Sequence, residues 1–552
     1  MSTEVTTLEV PLPKKIMKGI ILSFVLLLST ILLQAQEVTI EGVSARGFSG
    51  VKSINGEFYY TFYFGEKTDN KGMANFILAI YDQNLTSIKN TEIEISKNSE
   101  LAASAFNGQY FLFIFADLSK KKRTMVTLDK NGSIIKQTVE EDVRAALLTP
   151  DNYPDVHGVN QDEFVVVRPE KEKKFGYEIQ RVDKDLTIKW TTSFFPEKGI
   201  WSIEDSKLAA TKLILLRKEK ANALMGDKHT YSVQSVNLET GDAIYTTALV
   251  NEDDGAYPDF IRVDEKGGVA TGGMYFKDGK YDDKNSDGLF FALIAPNGSI
   301  SKFSKSSWKK VKDQIKGDFS SDLFGGRTKV LVEDIIQKLD GNYMVIGETW
   351  RKSNSADNTG TGAIRKLGGL GGGSTSTTDS KDKGFTLMDF AFFNFDATGE
   401  LSSIDKVEKT TKEAVIKGAL ADERGLAMAQ TLYKRKFFCY RNTIEFNNKQ
   451  YVMFKNDDGF KTKAYFLPVG ATSVSGIGSI DMDKWVPEGL NKLGKFTKMT
   501  GGNKYTFGNT GNVFETSNPE LYKNIIPAKP GFVLLYQFFN GKLALWLQQV
   551  PQ

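Results

Sequence analysis

Histidine and cysteine are almost missing from this chain: its 552 residues include two histidines and one cysteine. A lone cysteine excludes an intramolecular disulfide framework. Two histidines cannot build a three-histidine zinc centre, and no His-Glu-x-x-His occurs. The Gly-x-Ser-x-Gly elbow of a serine hydrolase is also absent. Charge of one sign is lacking as well. With 71 Lys and Arg against 68 Asp and Glu, the net charge is +3, which gives no basic surface for nucleic acid. Long apolar runs are missing beyond the first 36 residues.

That first segment reads as an address. Lys14, Lys15 and Lys18 precede an apolar stretch from Ile20 to Leu33, and Ala35 and Gln36 offer a cleavage point. The stretch is short for a membrane span, so residues 1–36 are expected to be a signal peptide, with Met17 as the natural start. The mature protein, residues 37–552, is then exported to the periplasm or beyond, with no transmembrane segment.

What is abundant is aromatic and strand-forming: 38 Phe and 20 Tyr. Hairpins of one form recur, with apolar alternation around a turn rich in Asp, Asn and Gly. Examples are "RTMVTLDKNGSIIKQ" from Arg123, "YEIQRVDKDLTIKWT" from Tyr177 and "FFALIAPNGSISKFS" from Phe290. A different hairpin precedes each, such as "SAFNGQYFLFIFA" from Ser104 and "VHGVNQDEFVVVR" from Val156. Together they make four antiparallel strands, a to d, at a period of roughly 45 to 60 residues, which is that of propeller blades. Strands such as "YFLFIF" are apolar on both faces, as radial packing of sheets requires.

The expected fold is therefore an all-β propeller of eight four-stranded blades, or seven if residues 484–552 form no full blade. The last unit stops after strand c, and "EVTIEGVS" from Glu37 is an orphan strand that can close the ring. No blade carries a Trp-Asp or a kelch double-glycine pattern. With its repeats and the "LLQAQ" end of its leader, the chain resembles uncharacterised secreted propeller-like proteins of Bacteroidetes. That resemblance implies architecture and export, and no activity.

Short a–b and c–d turns leave the longer connections, b–c and d–a, on one face of the ring. Three insertions fall there: residues 307–328 with a possible short helix, the Gly/Ser/Thr-rich 353–384, and the partly helical 408–434. Beside them stand Trp308, Trp350 and Trp485, which either stack on a ligand or pin the loops to the ring. Asp155, Asp205, Asp259 and Asp334, about six residues before their a–b turns, can ring the channel mouth and bind a cation; equally, each can cap backbone N–H groups or brace the next blade. His157 lies in an a strand beside them. "YDDKNSDG" spaces Asp283, Asn285 and Asp287 as in a calcium loop, but Ile294 stands where the bidentate Glu belongs, so a solvated loop is the competing reading. Cys439, inside "RKFFCYRN", reads as a buried thiol.

With no catalytic constellation in view, the sequence favours an exported, non-catalytic binding or scaffold protein with a protein or carbohydrate ligand of the cell envelope. The alternative is a propeller enzyme, a metal-assisted hydrolase or lyase built on the carboxylate ring.

Overall fold

One aspartate explains the recurring hairpin. Asp129 Oδ1 accepts the N–H groups of Asn131 at 2.9 Å and Ser133 at 2.8 Å, holding the turn between strands c and d. Asp82, Asp183 and Asp396 make the same pair of bonds in their own turns. Gly132 sits at φ 80°, the left-handed region where a Cβ is costly, and an added Cβ would lie 2.9 Å from Lys89 Cβ of the preceding blade.

The computed structural model describes residues 36–38, 44–52, 56–65, 73–220, 229–251, 254–277, 286–309, 311, 328–353, 383–416, 421, 425–434, 437–458, 461–482, 504–507, 523–539 and 542–551. These form eight antiparallel sheets arranged as a ring, a β-propeller. Blades 1 to 7 span residues 44–96, 100–140, 155–194, 200–248, 254–307, 329–407 and 440–481. Blade 8 takes three strands from residues 523–549 and its fourth, Gln36–Val38, from the far end of the chain. Gln36, Glu37 and Val38 pair antiparallel with Leu545, Ala544 and Leu543, so the orphan strand does close the ring.

Burial falls from the middle of a blade to its rim. In blade 2, strand b (Tyr110–Asp117) is buried at every residue after the first, while strand d (Ile134–Glu140) is largely exposed. The apolar clusters lie between blades. Phe76, Leu78 and Ile80 of blade 1 meet Phe106, Phe111 and Phe113 of blade 2, and Tyr60 and Phe62 of blade 1 meet Leu534 and Leu545 of blade 8. From blade 4 to blade 7 the clusters merge into one. Polar straps join the outer strands. Thr91 and Thr247 donate their hydroxyls to the turn carbonyls of Gly132 and Gly298 in the next blade, and Thr127 donates to the Lys184 carbonyl at 2.6 Å.

Blade 6 departs from the repeat. Its c strand, Lys383–Phe395, is long enough to pair with Leu401–Val407 along one half and Lys412–Ile416 along the other. Lys504–Phe507 then adds parallel to Lys412–Ile416, joining the insertion after blade 7 to that after blade 6. Neither extra strand was foreseen. The expected helix in 408–434 is present as Gly425–Lys434. Of the segment 307–328, residues 308 and 309 are helical; residues 354–382 lie outside those described.

Beneath these additions sits a buried ion pair: Lys409 Nζ lies 2.7 Å from Glu348 Oε1, with both side chains fully buried. Cys439, itself buried, donates its N–H to Glu348 Oε2 at 2.9 Å. Burial pushes the Glu348 carboxyl up, but Lys409, Glu333 and the Cys439 N–H hold it below its ordinary value. Glu333 beside it is driven well above the carboxylate range, first by burial and then by the Glu348 charge. One proton on Glu333 and none on Glu348 leaves a single negative charge facing Lys409.

Candidate functional site

The first strands of neighbouring blades lie side by side around the axis, and seven of them carry a bulge, the extra residue that bends a strand and re-aims its side chains; that of blade 3 falls late, between Gly158 and Asn160, and the other six fall earlier in their strands. In three of the six blades with an early bulge a polar residue stands just behind it. Asp205, Asp334 and Asn442 each cap the next backbone N–H, at 2.9, 2.8 and 2.8 Å. The same residues stitch blades together. Ile261 N–H of blade 5 donates to Asp205 Oδ2 at 3.2 Å. Arg262 of blade 5 donates to Asp334 Oδ1 at 2.6 Å and to the Ile335 carbonyl at 2.7 Å, and Tyr440 of blade 7 donates to Asp334 from the other side. Burial depresses the Arg262 guanidinium, yet Asp334 more than offsets this and leaves it above its usual value.

Between the first strands of blades 1 to 4 is a cavity of about 420 Å³, within the range of roughly 300 to 1,000 Å³ usual for small-ligand sites. Its wall comprises Ser49 of blade 1, Leu101–Ser104 of blade 2, Pro154–His157 of blade 3 and Asp205–Lys207 of blade 4. Strand order puts the Asp155 end of this wall, where the chain enters strand a of blade 3, at the same end of the ring as the insertions. Small residues make the room: Ala102 and Ala103 flank the blade 2 bulge, and Gly158 lets blade 3 approach so closely that an added Cβ would lie 2.7 Å from Asn107 Cα.

A three-residue relay crosses the wall from blade 3 to blade 4. Ser206 donates its hydroxyl to Asp155 Oδ2 at 2.7 Å, and His157 Nε2 meets the same hydroxyl oxygen at 2.7 Å. Serine is thus in the middle, unlike the aspartate–histidine–serine order of a hydrolase triad. Asp155 is open to the cavity although protein surrounds it. That enclosure raises its carboxyl above the ordinary value, against the pull of Ser206 and Lys207. His157 is pushed down to about 4, by burial first and the Lys207 charge second. Lys207 Nζ is itself held by Asp205 and by the Ser206 carbonyl at 3.2 Å. Ser49 and Ser104 bond to each other across blades 1 and 2.

Of the residues singled out in the sequence, the cavity brings together Asp155, His157 and Asp205. Asp334 is in a different contact, between blades 5, 6 and 7, while Asp259 sits at the blade 5 bulge with its side chain outside those described. Asp283, Asn285 and Trp485 lie outside the described residues. Asp287 Oδ2 accepts the Lys277 N–H at 2.7 Å and so pins its loop. Among the described residues no group of three or more His, Cys, Asp or Glu is placed to hold a metal. Trp308 is half-buried, donates to Ser286 Oγ at 3.1 Å and leans on Phe393. Trp350, read as either stacking on a ligand or pinning a loop, is fully buried and stacks on Phe385 with ring centroids 5.2 Å apart, close to Gly425 of the blade 6 insertion. Sequence reading missed Ser49, Ser104, Ser206 and Lys207. Aligning the blades on their bulges would have found two of them. Ser104 and Ser206 stand one step past the position behind the bulge, where blades 5 and 6 have Ile261 and Ile335.

Comparison with known proteins gives a family. Polysaccharide lyase Uly1 aligns over 94% of this chain and 99% of its own at 10% identity and TM-score 0.41. The β-propeller domain of the Trilobed protease from Pyrococcus furiosus aligns over 57% of this chain and 94% of its own, at 10% identity and TM-score 0.28. A prolyl endopeptidase aligns over 78% of this chain at 9% identity and TM-score 0.38; the chain spans about half of that protein, 48%. No curated protein matches. The family of unknown function DUF6770 matches residues 16–465, and the chain belongs to that family.

Proposed function

We propose that this is an exported, non-catalytic binding protein that holds a small polar ligand, of the size of a mono- or disaccharide, in the cavity between blades 1 and 4. The observation that carries this reading is the cavity itself: its polar groups come from four blades, and its small residues keep it open. The relay supports binding over turnover. With serine in the middle and His157 neutral down to about pH 4, the imidazole is a poor base for the Ser206 hydroxyl near neutrality. Export is compatible with the closing strand, because removal of residues 1–36 would leave Glu37 and Val38 to pair with Ala544 and Leu543 of blade 8.

Thermal melting against a panel of mono- and disaccharides tests the reading. At least one sugar should raise the melting temperature of the wild type and leave Ala103→Trp, which fills the cavity, unmoved. A shift that persists in the filled variant, or a panel with no shift, would sink it. The Asp155–Ser206 bond also favours a second reading, an enzyme in which Asp155 draws the proton from Ser206. Ser206→Ala would then abolish turnover of a bound sugar, whereas a binding protein gives no turnover to abolish.

A further inference from the structure

The relay has a direction, and that direction says what kind of group the cavity receives. Ionised Asp155 can only accept, so the 2.7 Å contact with Ser206 takes the single hydroxyl proton. The Ser206 oxygen then has only lone pairs left for His157, and its 2.7 Å contact requires His157 Nε2 to carry the proton. In a neutral imidazole that leaves Nδ1 as a bare acceptor. Asp155 Oδ1 is the other free end, and among the described residues neither it nor His157 Nδ1 has a hydrogen-bond partner.

The nearby cation pulls on Asp155 through its charge but makes no bond to it. Lys207 is turned to Asp205, and Asp205 is filled by Lys207, the Ser206 N–H and the Ile261 N–H. Asp155 thus bonds only to an uncharged hydroxyl among the described residues and turns its other oxygen to the open cavity.

We propose that the ligand of this cavity presents a hydrogen-bond-donating cation, a primary ammonium group, to Asp155 Oδ1. This rests on the cavity being the binding site, and it narrows the ligand to an aminated, polyhydroxylated molecule. The Ser49–Ser104 pair and His157 Nδ1 are left for its neutral hydroxyls.

The probes are glucosamine, glucose and glucuronate, one ring with three charges, titrated calorimetrically into the full mature chain near neutral pH. Glucosamine should bind about tenfold or more tighter than glucose, as a single enclosed ion pair provides. Glucuronate should bind weakest. In Asp155→Asn, the advantage of glucosamine over glucose should shrink to near onefold. Equal binding of glucose and glucosamine, survival of the advantage in Asp155→Asn, or no saturable binding of glucosamine would each overturn the inference. A neutral-sugar preference abolished by Ala103→Trp would do so while leaving the binding reading intact. Nitrogen shifts of His157 give a second test that needs no variant, in a chain with only one other histidine. The proton should sit on Nε2, and an Nδ1–H tautomer would break the chain of donors.

Discussion

At the scale of one residue, His157 couples the cavity to acidity. Its folded value of about 4 lies below the roughly 6.5 of a free imidazole. Between those limits the unfolded chain takes up a proton that the folded chain refuses. Stability from this group is therefore full above about pH 6.5 and drains away as pH falls towards 4, by at most about 3 kcal/mol. Asp155 works in the opposite sense. Its raised carboxyl lets the folded chain take a proton first, which favours folding as pH falls through that raised value. Urea midpoints from pH 7 to 4 should fall, and His157→Gln should flatten the slope. An equal slope in that variant would show that His157 titrates normally.

At the scale of elements, the device to test is the peg formed by Lys409, which fixes the start of the blade 6 insertion against strand b of the same blade through Glu348. Lys409→Met alone strands a buried carboxylate and should cost about 3 to 5 kcal/mol, whereas Lys409→Met with Glu348→Leu should recover most of that. Cys439 reports on the same spot: fully buried and bonded through its N–H to Glu348, it should react slowly with a thiol reagent in the wild type and the double variant, and fast in the single one. Equal rates in all three would mean that the pair holds nothing down. This peg was not legible in the sequence. Lys409 stands in a hydrophilic run, "VEKTTKEA", and nothing local distinguishes a lysine that turns inward from one that faces water. The hairpins were legible because their causes are local: an aspartate capping two N–H groups, a glycine at positive φ and apolar alternation. Blade count and ring closure followed from repetition. The cavity was half legible. Its aspartates and His157 stood out by position, but its serines became significant only once four strands from blades 1 to 4 were placed side by side. Which of its two readings Trp350 takes was not legible, because neighbouring a long loop in sequence says nothing about which side of the sheet the ring takes.

At the scale of the whole molecule, the ring is sealed by three residues. Removing Gln36–Val38 exposes the edge of the last strand, Lys542–Gln549, and opens the Leu534–Leu545 contact with blade 1 to solvent. The shortened chain should melt lower, by roughly 2 °C if the lost pairing is worth about 2 kcal/mol, and should dimerise at the raw edge, as light scattering would show. A monomer with unchanged melting would mean that apolar packing between blades 1 and 8 closes the ring unaided.

The clasp also sets a timetable. Gln36 leaves the ribosome long before its partner Leu545, with seven blades made in between. However early individual blades take shape, their assembly stays an open arc with one unsatisfied lip until the strand Lys542–Gln549 has emerged. Whatever guards an unfinished chain must guard that lip, and a truncated product that has lost blade 8 can never heal it.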